Sequence, residues 1–227
     1  MKPAIDPRIP ISRLGFGVSG PHGTRLVPVR ETIELIDAAA RLGVTVFDTA
    51  PAYGAGEAER RLGLAMRGLP RDRFVISTKA GVTSQGLRRR TRDFAPGAIE
   101  ASLRISLMRL GLDGVDVLWL HGAAPQELTA SLFSKLDGLR RAGAFMLLGA
   151  AGRGPELDAA LKTGRFDLMM TPVHPWLGLT GERRLRRAAE KGVGVFAIET
   201  AGPGPAPFRL PRKPADLYGL AKRAASP

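Results

Sequence analysis

Four side chains that can hold or transfer a proton follow short apolar runs between residues 48 and 121. Asp48 closes VTVFD, Tyr53 follows five residues later, Lys79 closes FVISTK and His121 closes VDVLWLH. A phenol releases its proton reluctantly at neutral pH, and a neighbouring ammonium group stabilises the phenolate that remains. A phenol, an ammonium, a carboxylate and an imidazole together therefore suit proton transfer to a carbonyl oxygen.

Each of these residues has a distinct expected role. Tyr53 is the predicted proton donor and Lys79 the charge that stabilises its phenolate. Asp48 is expected to hold Lys79 charged and oriented through an ion pair, and a neutral His121 to position the substrate oxygen by a hydrogen bond. Taken singly, each residue also fits an ordinary role as a cap, a packing group or a strand-end charge. No metal is predicted at this site, and the absence of cysteine excludes thiolate chemistry.

Apolar runs alternate with amphipathic segments along most of the chain, a pattern that predicts repeated βα units around a parallel sheet. The predicted strands cover residues 13–18, 45–49, 74–79, 115–121, 144–149, 167–173 and 193–200. The predicted helices cover residues 31–42, 57–66, 96–109, 127–141, 155–162 and 181–191. In a barrel of this type the carboxyl ends of all strands meet at one face, so the four side chains are expected to converge there.

The predicted fold class is α/β, a TIM-type (β/α)8 barrel that is incomplete at its last strand-helix unit. Seven strands are predicted where a closed barrel needs eight, and AGPGPAPFRLPRKP after Thr200 forms strands poorly. The eighth strand is missing, degenerate around residues 208–210, or supplied by another chain. We expect a single domain over residues 1–227 with an irregular, proline-rich tail from about residue 201, and a homodimer because an unclosed barrel exposes an edge.

The chain is strongly basic, with a formal net charge of +13. This charge favours anionic ligands, including an anionic substrate, but its arginines occur in short groups such as residues 88–92, expected on or beside surface helices. No aromatic residues are interleaved with a basic stretch, so we expect no nucleic-acid partner. No apolar stretch reaches the ~20 residues of a membrane span, so we expect a cytoplasmic protein without a membrane partner.

Three segments resemble signatures of the aldo-keto reductase family. They are ETIELIDAAARLGVTVFDTAPAYGAGEAERRLGLAM, FVISTKAG and SLRISLMRLGLDGVDVLWLHG, and the resemblance extends over roughly residues 11–200. It implies an NADP(H)-dependent oxidoreductase that reduces small aldehydes or ketones to alcohols. It also implies that Asp48, Tyr53, Lys79 and His121 form the catalytic tetrad, and that Asp48, Val18 and Ser19 contact the cofactor.

The second half of the chain departs from the family at positions that contact the nicotinamide. The family's serine-asparagine pair, glutamine and stacking tyrosine are replaced by Ala150 and Ala151, by Met170 or Thr171, and by Ile198 with Glu199 beside it. Two alternatives therefore stand beside the reductase. One is a nucleotide-independent acid/base enzyme, a lyase or isomerase, that uses the same tetrad. The other is a non-catalytic barrel that serves as a partner subunit.

Overall fold

A curved parallel sheet with helices on its outer face forms the body of the molecule. The computed structural model describes residues 11–85 and 89–200, and the following bounds refer to these residues. The strands are β1 (Gly15–Gly17), β2 (Val46–Asp48), β3 (Val75–Ala80), β4 (Val82–Gln85), β5 (Arg89–Arg92), β6 (Val115–His121), β7 (Phe145–Ala151), β8 (Leu168–Pro172) and β9 (Gly194–Ile198). The helices are α1 (Val29–Arg41), α2 (Glu57–Met66), α3 (Pro96–Leu110), α4 (Ala130–Arg141), α5 (Pro155–Thr163) and α6 (Gly178–Glu190).

Seven of these strands pair in parallel, in the order β1, β2, β3, β6, β7, β8, β9. Within the described ranges β1 and β9 each have one strand neighbour, so the described residues do not close the barrel. This agrees with the predicted fold class, and all seven predicted strands and six predicted helices are found within a few residues of their expected bounds. The proposed strand remnant at residues 208–210 and the tail from about residue 201 lie outside the described residues.

Strand alternation divides the apolar residues into two layers. Along β6, Leu118 and Leu120 pack outward against the helices, whereas Val117 and Trp119 face the inside of the curved sheet. Gly149 on the neighbouring β7 makes room for the indole, because a Cβ there would overlap the ring of Trp119. His121 follows the same inward alternation, so the strand pattern carries its side chain to the mouth of the barrel.

The arginines at residues 88–92 were expected on or beside surface helices, and no strand was predicted there. Strands β4 and β5 form an antiparallel hairpin that follows β3. Gly81, with φ of +94°, turns the chain out of β3, and the amide of Asp93 donates to its carbonyl oxygen at 2.9 Å. The β-branched residues Val82, Thr83 and Thr91 favour strands, and Thr83 pairs with Thr91 across the hairpin. The many charged residues of the segment hid this pattern in the sequence.

No helix of the described part of the chain is long and apolar enough to cross a membrane.

Candidate active site

Asp48 and Lys79 form an ion pair at the carboxyl ends of two neighbouring strands. The Lys79 ammonium donates to a carboxylate oxygen of Asp48 and, at 2.9 Å, to the backbone oxygen of Thr49. The second oxygen of Asp48 accepts a hydrogen bond from the hydroxyl of Ser77 at 2.6 Å. The register of β2 and β3, which pairs Asp48 with Ser77, accounts for this contact. The carboxylate is therefore held from two sides.

The environment of Lys79 keeps it protonated. Burial by itself would lower the pKa of this buried ammonium, but the negative charge of Asp48, followed by Tyr53, acts in the opposite direction. The net result is a pKa above the ordinary value for lysine. A positive charge is thus fixed beside the phenol, as proton transfer from tyrosine requires.

Tyr53 is positioned by a tight turn after β2. Its amide donates to the carbonyl oxygen of Ala50 at 3.0 Å, and Gly54 follows with φ of +62°. The backbone of Gly23 packs directly on Gly54, where a Cβ would overlap the Gly23 carbonyl. Only glycine allows the two backbones to come this close at low cost. The loops that contain Gly23 and Gly54 therefore fix the position of Tyr53.

The ring of Tyr53 lies beside two of the three other members of the predicted tetrad. The Lys79 nitrogen lies 5.1 Å from the centroid of the phenol ring. The imidazole of His121 meets the same ring edge to face, with centroids 6.3 Å apart and an interplanar angle of 80°. The structure therefore brings Asp48, Tyr53, Lys79 and His121 together, although 73 positions separate the first from the last, 121 minus 48.

His121 is held neutral. Burial lowers its pKa to about 3, assisted by the positive charges of Lys79, Arg90, Arg153 and Arg92, in that order. Its Nδ1 atom is buried and has no hydrogen-bond partner among the described residues. A neutral imidazole carries one N–H donor and one acceptor, so it can donate to a substrate oxygen without adding charge.

Charged residues outside the predicted tetrad surround the mouth. Arg92 pairs with Glu127 and donates to the backbone oxygen of Gly122, next to His121, at 2.6 Å. Arg153, after β7, pairs with Glu199 at the end of β9. The sequence signal for Arg92 was a cluster of basic residues after the predicted third strand.

A comparison with protein families matches residues 13–204 to the aldo/keto reductase family. The chain belongs to this family. An aldo-keto reductase from Pseudomonas aeruginosa is 27% identical, with a TM-score of 0.74 over 87% of this chain and 77% of the other. The holo form of an aldo-keto reductase from Bacillus halodurans has a TM-score of 0.76 at 23% identity, over 94% and 72% of the two chains, and supports the fold.

The relatives of the chain carry names that refer to different compounds. D-threo-aldose 1-dehydrogenase from Pseudomonas sp is 31% identical over 86% of this chain, and L-galactose dehydrogenase from Arabidopsis thaliana is 32% identical over 86%. An NADH-specific methylglyoxal reductase from Escherichia coli is 31% identical over 71%. The chain spans 67%, 63% and 55% of the lengths of these three proteins.

The inner wall beside the tetrad would suit the flat face of a nicotinamide ring. It is apolar, with Ala151 and Ile198 facing inward at the ends of β7 and β9 and Met170 facing inward within β8. The indole N–H of Trp119 is buried beneath them and has no partner among the described residues. A Cβ at Gly17, beside Asp48, would meet no atom within 4 Å, so space is open at the end of β1. The side chains on this wall fit the ring but not its carboxamide.

Val18 and Ser19, the other residues predicted to contact a cofactor, lie directly after β1. The amide of Val18 donates to the Asp48 carbonyl at 2.8 Å, and its own carbonyl accepts from Thr49 Oγ1 at 3.2 Å. Ser19 precedes a short 3-10 helix over Gly20–Gly23, and its side chain does not cap that helix. Both residues are therefore adjacent to the tetrad, and their contact with a cofactor stays a prediction.

Proposed function

We propose that this protein uses NADP(H) to reduce small aldehydes or ketones to alcohols, with Tyr53 as the proton donor. The observation that carries the proposal is the placement of the phenol between the paired Lys79 ammonium and a neutral imidazole. Family membership supports it, and a structural relative from Klebsiella pneumoniae was solved in complex with NADPH. That relative is 22% identical, so it supports the fold, and the cofactor is a proposal for this chain.

The tetrad residues act on the substrate oxygen. When bound, the dinucleotide supplies hydride to the carbonyl carbon. Tyr53 transfers its proton to the oxygen as negative charge develops there, and the Lys79 ammonium stabilises the phenolate that forms. Asp48 and the Thr49 carbonyl keep that ammonium in place. The N–H of His121 fixes the oxygen beside the phenol, and solvent returns a proton to Tyr53 after release.

Ala151, Met170 and Ile198 would hold the nicotinamide ring by apolar contact alone. This contact lacks the polar partners that orient a carboxamide, which favours the nucleotide-independent acid/base enzyme as a second candidate. In that case Tyr53 and Lys79 would transfer protons in an elimination or isomerisation without hydride transfer.

Cofactor binding and turnover separate the two candidates. The purified protein is titrated with NADPH and with NADH, followed by nucleotide fluorescence and by the thermal midpoint. Turnover is measured with methylglyoxal and with aldoses, which the names of the relatives suggest. Saturable nucleotide binding at micromolar concentrations with consumption of NADPH supports the reductase. Turnover of a small molecule without nucleotide binding supports the second candidate.

The two tyrosines of the chain provide a matched pair of variants. Tyr53→Phe is expected to lower kcat by a factor of 100 or more, because general acid catalysis contributes roughly 10²–10⁴. Tyr218→Phe makes the same chemical change at the other tyrosine of the chain and is the control for loss of a phenol hydroxyl. Equal activity of Tyr53→Phe and the wild-type protein would exclude both catalytic proposals. Absence of binding and turnover in the wild-type protein would leave the partner-subunit alternative.

The single-domain organisation, the cytoplasmic location and the homodimer are proposals as well. The exposed strands β1 and β9 support a homodimer, since each has one neighbour among the described residues. Light scattering coupled to size-exclusion chromatography tests it, and a monomer mass at micromolar concentrations would exclude a stable dimer.

A further inference from the structure

One arginine near the mouth of the barrel has no carboxylate partner among the described residues. Three cations there each hold a carboxylate, in the pairs Lys79–Asp48, Arg92–Glu127 and Arg153–Glu199. Arg90, which is exposed on β5, has no ion-pair partner within residues 11–85 and 89–200. Glu156, the remaining carboxylate beside Arg153, accepts hydrogen bonds from the backbone amides of Arg153 and Gly154. Among the described residues named here, Arg90 is the cation that has no carboxylate partner.

Arg90 belongs to the hairpin that contacts the rim of the barrel through Arg92. Residues two apart on a strand share a face, so Arg90 and Arg92 project from the same side of β5. The guanidinium of Arg92 reaches the carbonyl of Gly122, the residue after His121. Because β5 runs back toward the barrel, Arg90 lies about 7 Å further from the rim along the strand. Its charge is also one of those that lower the pKa of His121.

We infer that Arg90 binds the carboxylate of an anionic carbonyl substrate whose carbonyl oxygen lies between Tyr53 and His121. The inference rests on the proposed function and adds the class of substrate. A guanidinium matches a carboxylate through two parallel hydrogen bonds. Lys79 cannot serve this purpose, because its charge is occupied by Asp48 at the base of the site. A substrate with a spacer between carbonyl and carboxylate would span from the tetrad to the hairpin.

A pair of substrates of nearly equal shape tests the inference. In 4-formylbenzoate and 4-formylbenzamide the aldehyde is the same and only the charge of the distal group differs. We expect the wild-type protein to prefer the benzoate, and Arg90→Gln to lower kcat/KM for the benzoate about tenfold or more, mainly through KM. The same variant should change kcat/KM for the benzamide less than twofold, since the tetrad is intact.

Arg73→Gln is the matched control. Arg73 is exposed before the amino end of β3, at the opposite end of the barrel, and its replacement changes the net charge equally. It should leave both substrates unaffected. The pKa of His121, followed by NMR, should rise from about 3 in Arg90→Gln and not in Arg73→Gln. That readout reports the placement of Arg90 independently of catalysis.

Other outcomes overturn the inference. An equal loss of kcat/KM for both substrates in Arg90→Gln, or no loss for the benzoate, would show that Arg90 does not bind the carboxylate. A raised KM for NADPH with both aldehydes would assign Arg90 to the phosphates of the dinucleotide. If the wild-type protein turns over neither aldehyde, the proposed function fails for this class, and calorimetry decides the inference separately. Binding of 4-formylbenzoate over 4-formylbenzamide that is lost in Arg90→Gln supports it, and equal binding refutes it.

Discussion

His121 is expected to make the stability of the fold depend on pH over a range where an exposed histidine would not. Its pKa is lowered to about 3 in the folded protein by burial and by neighbouring cations, whereas the ordinary value is 6.5. The unfolded chain therefore binds a proton at this position as the pH falls below 6.5, and the folded protein does not until about pH 3. Stability is present in full above pH 6.5 and decreases as the pH falls toward 3.

The magnitude follows from the width of this window. Each pH unit below 6.5 costs about 1.4 kcal/mol, so the free energy of unfolding should fall by about 3 kcal/mol between pH 7 and pH 4 from His121 alone. His121→Asn cannot take up the proton in either state and lacks this contribution. Carboxylates that titrate in the same range do so in both proteins, so the difference between wild type and variant isolates the histidine.

Urea denaturation at pH 7, 6, 5 and 4, followed by circular dichroism, measures this difference. As the pH falls, the free energy of unfolding of the wild-type protein should decrease more steeply than that of His121→Asn. The control variant His174→Asn keeps His121 and should show the same steep decrease as the wild-type protein. Parallel curves for the wild-type protein and His121→Asn would refute the reasoning, since they would mean that the folded imidazole takes its proton as readily as the unfolded one.

Three further substitutions test the supports of the site. Lys79→Met should lower the free energy of unfolding by about 3 kcal/mol in urea, because it leaves a carboxylate without its partner, and Asp48→Asn in that background should restore part of the loss. Arg61→Met should cost about 3 kcal/mol in the same assay, since the buried guanidinium donates to two backbone carbonyls and a hydroxyl. Gly149→Ala should cost about 1–3 kcal/mol and shift the fluorescence of Trp119, and an unchanged spectrum would contradict the packing described.

The tetrad could be predicted because each member depends on a local pattern and one topological rule. Asp48, Lys79 and His121 end apolar strands, and parallel strands of a barrel bring their carboxyl ends to one face. The convergence of the four side chains can therefore be predicted without knowing any contact between residues distant in sequence. The hairpin of β4 and β5 was missed for the opposite reason. Its segment is rich in charged residues, and its few β-branched residues form a recognisable pattern only once the two strands are paired.

The charge state of the mouth could not be predicted, because it depends on which arginines are already paired. The contact of Arg92 with Gly122 joins residues 30 apart, and that of Arg153 with Glu199 joins residues 46 apart. The net charge of +13 indicates attraction to anions in general, but most cations near the site are neutralised by a partner. We therefore expect selectivity for an anionic substrate to depend on Arg90, which has no ion-pair partner among the described residues, and one neutral substitution there tests this expectation.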